Sequence, residues 1–329
     1  MISIKGGSAT ELFASAAHTV MAEGRPASPR GSATKEILGA HLHLSDPRRR
    51  LVSLPPTRVL NPAFAAAEAV WILSGSDEPW IFDYNRRLVG FADDGVLKGA
   101  YGPRLRKWNG GIDQLDRARR LLQEDPDTRR AVIQLYDPGR DSVPSKDVPC
   151  TLGFRFFLRD GRLQMHTTMR SQDLWLGFCY DIFTFTVLHE LMAHWVGAEL
   201  GDYHHQVDSL HLYVEHWNAA VDLPTRLAPG LRGAPLTLAW EELDTTLTRV
   251  RTGEPIGSDG WGQFARTMHS YRLWKSGDRT QAREQAHTVT GPLGESLLSW
   301  YGHLTSRNEE RRNDAATPAR GTRPVLGNP

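Results

Sequence analysis

Cysteine is nearly absent: Cys150 and Cys179 are the only two in 329 residues. Two thiols in a chain of this size make no disulfide framework. The reading that fits is a reducing compartment with both sulfurs free. Long apolar runs are missing as well. Charges interrupt every apolar stretch well short of the ~20 residues that a membrane-spanning helix needs. The N-terminus shows no apolar leader core, so a cytoplasmic protein is expected. An excess of one charge is the third absence, since 39 Lys and Arg face 38 Asp and Glu and leave a net +1. A protein whose main ligand is duplex nucleic acid carries a basic excess or stripe. A small anion such as a nucleotide needs only a few arginines in one place, and near-neutrality permits that.

What is present is enough apolar material for a large core, 40% of the residues, organised as one large or two ordinary domains. A short helical stretch is expected over residues 11–23, followed by a Gly/Pro/Ser/Arg loop over 24–33. Asn61-Pro62 combines a good N-cap with a proline tolerated at the first helical position and opens a helix over 63–74. An amphipathic helix follows Gly110-Gly111, with Ile112, Leu115, Leu121 and Leu122 on one side. Strands are expected over 130–136, 151–158 and 162–169, the last two joined by the hairpin signal Asp160-Gly161. An apolar helix over 182–196 ends at Gly197, and a short strand-like run holds His211 to Tyr213. Helical segments are expected over 241–251, 261–274 and 294–307. The polar residues 308–329 are expected to be a disordered tail after a single domain over 1–307. Irregular alternation of helices and strands points to an α+β fold with a mixed or antiparallel sheet.

The densest chemistry lies between Val148 and Asp181. Cys150 follows a proline at the mouth of a strand, a placement unlike that of a packed core thiol. Arg170 ends a strand twenty residues on, and Arg129-Arg130 stand about twenty residues before. Guanidinium groups near a thiol lower its pKa and make thiolate available, and the same groups fork onto phosphate.

Pro149-Cys150, the run Arg170-Ser171-x-Asp173-x-x-x-Gly177, and His211-Leu-Tyr213 resemble thymidylate synthase and the related pyrimidine hydroxymethylases. Arg30-Gly-Ser, Glu68 followed by Val-Trp-Ile-Leu-Ser-Gly75, and Tyr101-Gly102 with Arg106 and Trp108 match further motifs in order, from about residue 20 to 220. The resemblance implies a large mixed or antiparallel sheet packed by helices, dimerising through the sheet. It implies that Cys150 adds as thiolate to pyrimidine carbon 6, making carbon 5 nucleophilic toward a one-carbon unit from 5,10-methylenetetrahydrofolate. Arg30, Arg170 and Ser171 would hold the phosphate, and Arg129 and Arg130 would reach it from the partner of a homodimer. His211 and Tyr213 would bond the sugar 3′-hydroxyl. Glu68 would order water and move protons. Asp173 and Gly177 would lie near the pterin, with Tyr101 in the loop beside the folate.

Departures from the synthase pattern are informative. Asp181 stands where the synthases have Asn. An ionised Asp offers acceptors only, which repels O4 of uracil and suits the exocyclic amine of cytosine. The alternative for Asp181 is an ordinary cap on the helix that follows. Residues 86–92 lack the expected tryptophans, and the chain ends without the short apolar tail that closes over the folate in synthases. Both favour hydration of the transferred carbon over hydride transfer. Thr151 replaces the usual His, and Ser209 stands where an Asp is common. The expectation is therefore a cytidylate 5-hydroxymethyltransferase, with dCMP ahead of CMP. A thymidylate synthase or uridylate hydroxymethylase is the first alternative, and a silent nucleotide- or RNA-binding protein the second. No metal is expected: His189 and His194 are five apart and point ~140° away from each other on a helix, whereas a ligand pair wants a spacing of four.

Overall fold

The hairpin turning at Asp160-Gly161 lies near the middle of the sequence. In the computed structural model, which describes residues 1–257 and 259–316 with side chains through 306, both turn residues take positive φ, 51° and 71°. That pair of left-handed residues gives the tight turn whose twist matches the flanking strands.

In chain order the elements are β1 (Ile2–Gly6), α1 (Ala9–Glu23), β2 (Arg25–Ala27), β3 (Thr34–Leu44), α2 (Pro62–Leu73), α3 (Tyr101–Arg106), α4 (Gln114–Glu124), β4 (Val132–Gln134), α5 (Pro138–Asp141), β5 (Thr151–Arg159), β6 (Arg162–Met169), β7 (Gln172–Asp173), α6 (Phe178–Trp195), β8 (Glu199–Tyr213), α7 (Trp217–Val221), α8 (Leu243–Thr252), α9 (Gly260–Ser276), α10 (Arg279–His287) and α11 (Gly291–Ala316). The strands form one eight-stranded sheet in the order β1-β3-β8-β6-β5-β4, with β2 added to β3 and β7 to β8. Parallel pairs (β1 with β3, β6 with β8) mix with antiparallel ones (β3 with β8, β5 with β6, β4 with β5). The mixed α+β architecture is the one expected.

Several elements match the local signals that announced them. The Asn61 side chain accepts from the amides of Ala63 and Phe64 and caps α2. Asp113 caps α4 in the same way. Other elements were not anticipated. No element was expected over 34–44, where β3 lies, because Gly39 at φ 76° breaks the in-out alternation that marks a strand. β8 is fifteen residues long, where only its end at His211 to Tyr213 was expected. Helix α6 begins at Phe178 with Gly177 as its N-cap. Asp181 therefore lies in the first turn, and the simple capping alternative does not hold. Helix α11 continues to Ala316, past the boundary expected at 307. The rest of the expected tail, 317–329, lies outside the described residues.

α1 and α6 pack on β3, β6 and β8, and α2 packs on α6, so these helices are buried on nearly every side. Along β6 the burial alternates: Leu163, Met165, Thr167 and Met169 face the helices, while Gln164, His166 and Thr168 face away. The outward face brings His41, His43, His166 and His204 into ring contact, with centroids 4.3–6.4 Å apart. Among the described residues no helix is long and apolar enough to cross a membrane.

Candidate active site

The register of the hairpin places the thiol. Thr151 pairs with Met169, and the amide of Arg170 donates to the carbonyl of Cys150 at 2.9 Å. Cys150 and Arg170 are thereby held opposite each other at the open end of two strands. The guanidinium folds back: Nε donates to Pro149 O at 2.9 Å, Nη2 donates to Val148 O at 3.0 Å, and Nη2 stands 3.7 Å from Cys150 Sγ. Cys150 keeps partial exposure, whereas Cys179 is fully buried. Burial nevertheless pushes the Cys150 thiol above its ordinary pKa. Arg170 and, more weakly, Arg30 pull it down, while Asp181 and Asp147 push it up. This corrects the expectation that the arginines alone would make thiolate available: desolvation outweighs them.

Two largely buried helices each carry one acidic residue that is only partly covered. In α2 eleven of twelve residues are buried, and Glu68 is the exception. In α6 the first turn leaves Tyr180 and Asp181 partly accessible. An acidic residue retaining exposure on a buried helix marks a cleft. Burial raises the Glu68 carboxyl to about 8, and the charge of Asp181 adds to the rise. Burial raises Asp181 to about 7, with a hydrogen bond from Gln172 opposing and the charge of Asp173 adding. Both carboxyls therefore exchange protons near neutrality, as general acid-base groups must.

Tyr101, at the start of α3, points its hydroxyl at the same place. It accepts from Thr151 N at 3.3 Å and Thr151 Oγ1 at 3.0 Å. Its pKa is raised by burial and then by the charges of Asp181 and Cys150. With its acceptor side taken by Thr151, its proton is left for the cleft. Thr151, the departure from the family's His, is thus used in fixing Tyr101. Asp173 accepts from the amides of Trp175 and Leu176 through Oδ1 and so shapes the turn into α6. A Cβ on Gly177 would come within 2.7 Å of Gln172 Nε2, so a larger residue would displace that amide. The pair β7–β8 puts Asp173 beside His211. Tyr213 is half-buried, and its hydroxyl feels Asp173, Arg30 and Cys150 in turn. Arg30 is exposed in a short 3-10 turn at φ 53°, a left-handed conformation that costs a non-glycine residue about 1 kcal/mol or more. Ser171 is half-buried between Arg170 and Gln172.

Cys150, Arg170, Asp181, Glu68 and Tyr101 are thus brought together, with Arg30, Asp173 and Tyr213 at the rim. Arg129 and Arg130 are not. They are exposed before β4, and neither side chain makes an ion pair among the described residues. Two contributors were missed in the sequence, Gln172 and His205. Both are buried, and both are linked by hydrogen bonds to Asp181. The position of Gln172 inside the Arg170–Gly177 run was the available signal. Among the described residues no group of three or more His, Cys, Asp and Glu is arranged to hold a metal ion. His189 is fully buried and bonds Leu163 O at 2.7 Å.

The family model for thymidylate synthase matches residues 11–244. The chain belongs to the thymidylate synthase family. It is 37% identical over 261 residues to the deoxyuridylate hydroxymethyltransferase of Bacillus phage SP01, covering 74% of this chain and 68% of that protein. It is 34% identical over 199 residues to the protein of the same name from Delftia phage PhiW-14, and 35% identical over 181 residues to that of Pseudomonas phage M6. The matches to these two cover 56% and 54% of this chain and 54% and 51% of theirs. Membership of the thymidylate synthase family makes this chain a folate-dependent one-carbon transferase acting at carbon 5 of a pyrimidine nucleotide. The cytidylate preference expected from Asp181 finds no support among these relatives.

Proposed function

We propose that the chain transfers a hydroxymethyl group to carbon 5 of a pyrimidine deoxynucleoside monophosphate, with deoxyuridylate as substrate. The environment of Asp181 carries the reading. The case for cytosine assumed an ionised carboxylate, with acceptors only. Burial raises this carboxyl to about 7, and a neutral acid offers one O–H donor and one carbonyl acceptor. That is the pattern of the amide it replaces, and it suits O4 and N3–H of uracil. The names of the relatives point the same way.

In this reading Cys150 bonds to carbon 6 and activates carbon 5, with Arg170 favouring the thiolate. Arg30, Arg170 and Ser171 bind the phosphate, and His211 and Tyr213 bind the sugar. Glu68 holds water and gives and takes protons at the ring, supported by the Tyr101 hydroxyl. The co-substrate 5,10-methylenetetrahydrofolate supplies a carbon at the oxidation level of formaldehyde. Asp173, whose Oδ2 has no hydrogen-bond partner among the described residues, and Gly177 fit a pterin that presents N–H groups. Water completes the balance: nucleotide, methylene-folate and water give hydroxymethyl nucleotide and tetrahydrofolate. The exposed turn Arg86–Phe91, without the tryptophans of the synthases, leaves water a route. Arg129 and Arg130 reach the phosphate across a homodimer formed by the outward sheet face.

A second reading is cytidylate hydroxymethylation by ionised Asp181, which accepts from the N4 amine. Asp181 favours it above neutral pH, where the Gln172 amide supports the charge. The test is product mass with dUMP, dCMP and CMP, with dihydrofolate absorbance followed alongside. We expect dUMP to gain the elements of formaldehyde with no dihydrofolate. Dihydrofolate formation with a methylated product would identify a synthase, and a dCMP product alone would establish the second reading.

A further inference from the structure

Asp181 is the end of a buried hydrogen-bonded chain. Gln172 Nε2 donates to Asp181 Oδ2 at 2.9 Å. Gln172 Oε1 faces His205 Nε2 at 2.9 Å, and His205 Nδ1 faces the Tyr203 hydroxyl at 2.8 Å. That hydroxyl lies 2.9 Å from Thr167 Oγ1. Gln172 is 2% exposed, and His205, Tyr203 and Thr167 are 0% exposed.

The chemistry fixes the direction of the bonds from Tyr203 to Asp181. Gln172 Nε2 also reaches the backbone carbonyl of Asp173 at 3.3 Å. A carbonyl only accepts, so the amide nitrogen must lie on that side and Oε1 must face His205. His205 is then the donor at Nε2. Burial lowers His205 to about 3, so the ring is neutral and Nδ1 is bare. Nδ1 then accepts from the Tyr203 hydroxyl, whose proton Thr167 Oγ1 also lies in position to accept. Donors therefore run one way, from Tyr203 through His205 and Gln172 to Asp181. Gly177 makes the approach possible, since a side chain there would strike the Gln172 amide.

We infer that Gln172, His205 and Tyr203 are positioning residues that hold a donor on Asp181 Oδ2, make it the carbonyl-like oxygen, and leave Oδ1 to carry the proton toward the pyrimidine. Oδ1 has no hydrogen-bond partner among the described residues. A donor fixed on Oδ2 makes it the carbonyl-like oxygen, so a proton on the carboxyl sits on Oδ1 and faces the base. The protonated form presents a donor to O4 of uracil. The ionised form presents an acceptor to the amine of cytosine. Burial raises the pH at which one base gives way to the other, and the chain of donors, which favours the ionised form, lowers it. The inference rests on Asp181 facing the base, as proposed above.

The test is a carboxyl 13C NMR titration of the full chain, labelled at aspartate, with Asp181 assigned by loss of its signal in Asp181→Asn. It needs no substrate. Losing a hydrogen bond to a charged group is expected to raise the Asp181 midpoint in Gln172→Met by roughly one unit or more. Tyr203→Phe removes one oxygen, frees the His205 tautomer and is expected to move the midpoint the same way by less. It carries the test if Gln172→Met does not fold. In parallel, the pH at which the ratio of kcat/KM for dCMP over dUMP turns is expected to follow the NMR midpoint. An unmoved midpoint in Tyr203→Phe, and in Gln172→Met where that folds, would overturn the inference even if both nucleotides are turned over. Turnover of neither nucleotide would instead remove the proposed function and leave the titration result standing.

Discussion

Arg170 and Cys150 face each other across the last pair of the β5–β6 hairpin, and the guanidinium ties down the two carbonyls before the thiol while standing 3.7 Å from its sulfur. One side chain both folds the loop and supplies the charge that opposes the burial penalty on the thiolate. Arg170→Met is expected to raise the pH midpoint of Cys150 alkylation. It should also lower kcat/KM about 10- to 100-fold, the scale of one lost charged hydrogen bond. Iodoacetamide rates against pH measure the first effect. A midpoint equal to that of the parent chain would mean that the contact has no electrostatic role.

The two thiols should be easy to tell apart. Cys150 is partly accessible, while Cys179 is fully buried and pushed up to about 11. One equivalent of thiol reagent should react with the native chain and two after unfolding. In Cys150→Ala the native chain should take up none. Rapid labelling of Cys179 in the native state would contradict the packing of α6.

Glu68 should cost stability in a pH-dependent way. Its carboxyl is at about 8 when folded, against 4.5 ordinarily. Between those values the folded chain holds a proton that the unfolded chain has lost. This group's contribution is therefore complete below 4.5 and is lost as pH rises through about 8. Glu68→Gln keeps the size and removes the titration. It should be as stable as the parent near pH 4.5 and more stable by about 1–3 kcal/mol near pH 8, with turnover lost. Urea unfolding at the two pH values measures this, and an equal effect at both would show that the shift is not intrinsic to Glu68.

Much of this site was legible because its parts are local. A proline before Cys150, a hairpin turn midway between Cys150 and Arg170, and a capped helix carrying Glu68 can all be read from short windows. The hairpin then converts sequence spacing into contact. Strands β3 and β8 were largely missed. Gly39 interrupts the alternation of β3, and the histidines of both strands look like scattered polar residues until the sheet stacks them. Gln172 and His205 were missed for a different reason. They lie 33 residues apart, and only the pairing of β7 and β6 with β8 makes them neighbours. The thiol pKa went wrong because local charge can be read from sequence, whereas desolvation cannot.

The exposed pair Arg129 and Arg130 should act across a subunit boundary. Chains carrying Arg129→Ala with Arg130→Ala, and chains carrying Cys150→Ala, should each be inactive alone. Dissociated and reassociated together, they should regain part of the activity, because one mixed site then carries both the thiol and the arginines. Sedimentation of the parent chain should show a dimer. Activity of the double-arginine variant alone would contradict the cross-subunit role.

The most direct measurement is exchange of the carbon-5 hydrogen of the nucleotide in the absence of folate. A sulfur bonded to carbon 6 makes carbon 5 basic, so [5-2H]dUMP should lose its deuterium to water with the parent chain and keep it with Cys150→Ala. Retention of the label by the parent chain, or its loss with Cys150→Ala, would contradict bond formation between Cys150 and the ring.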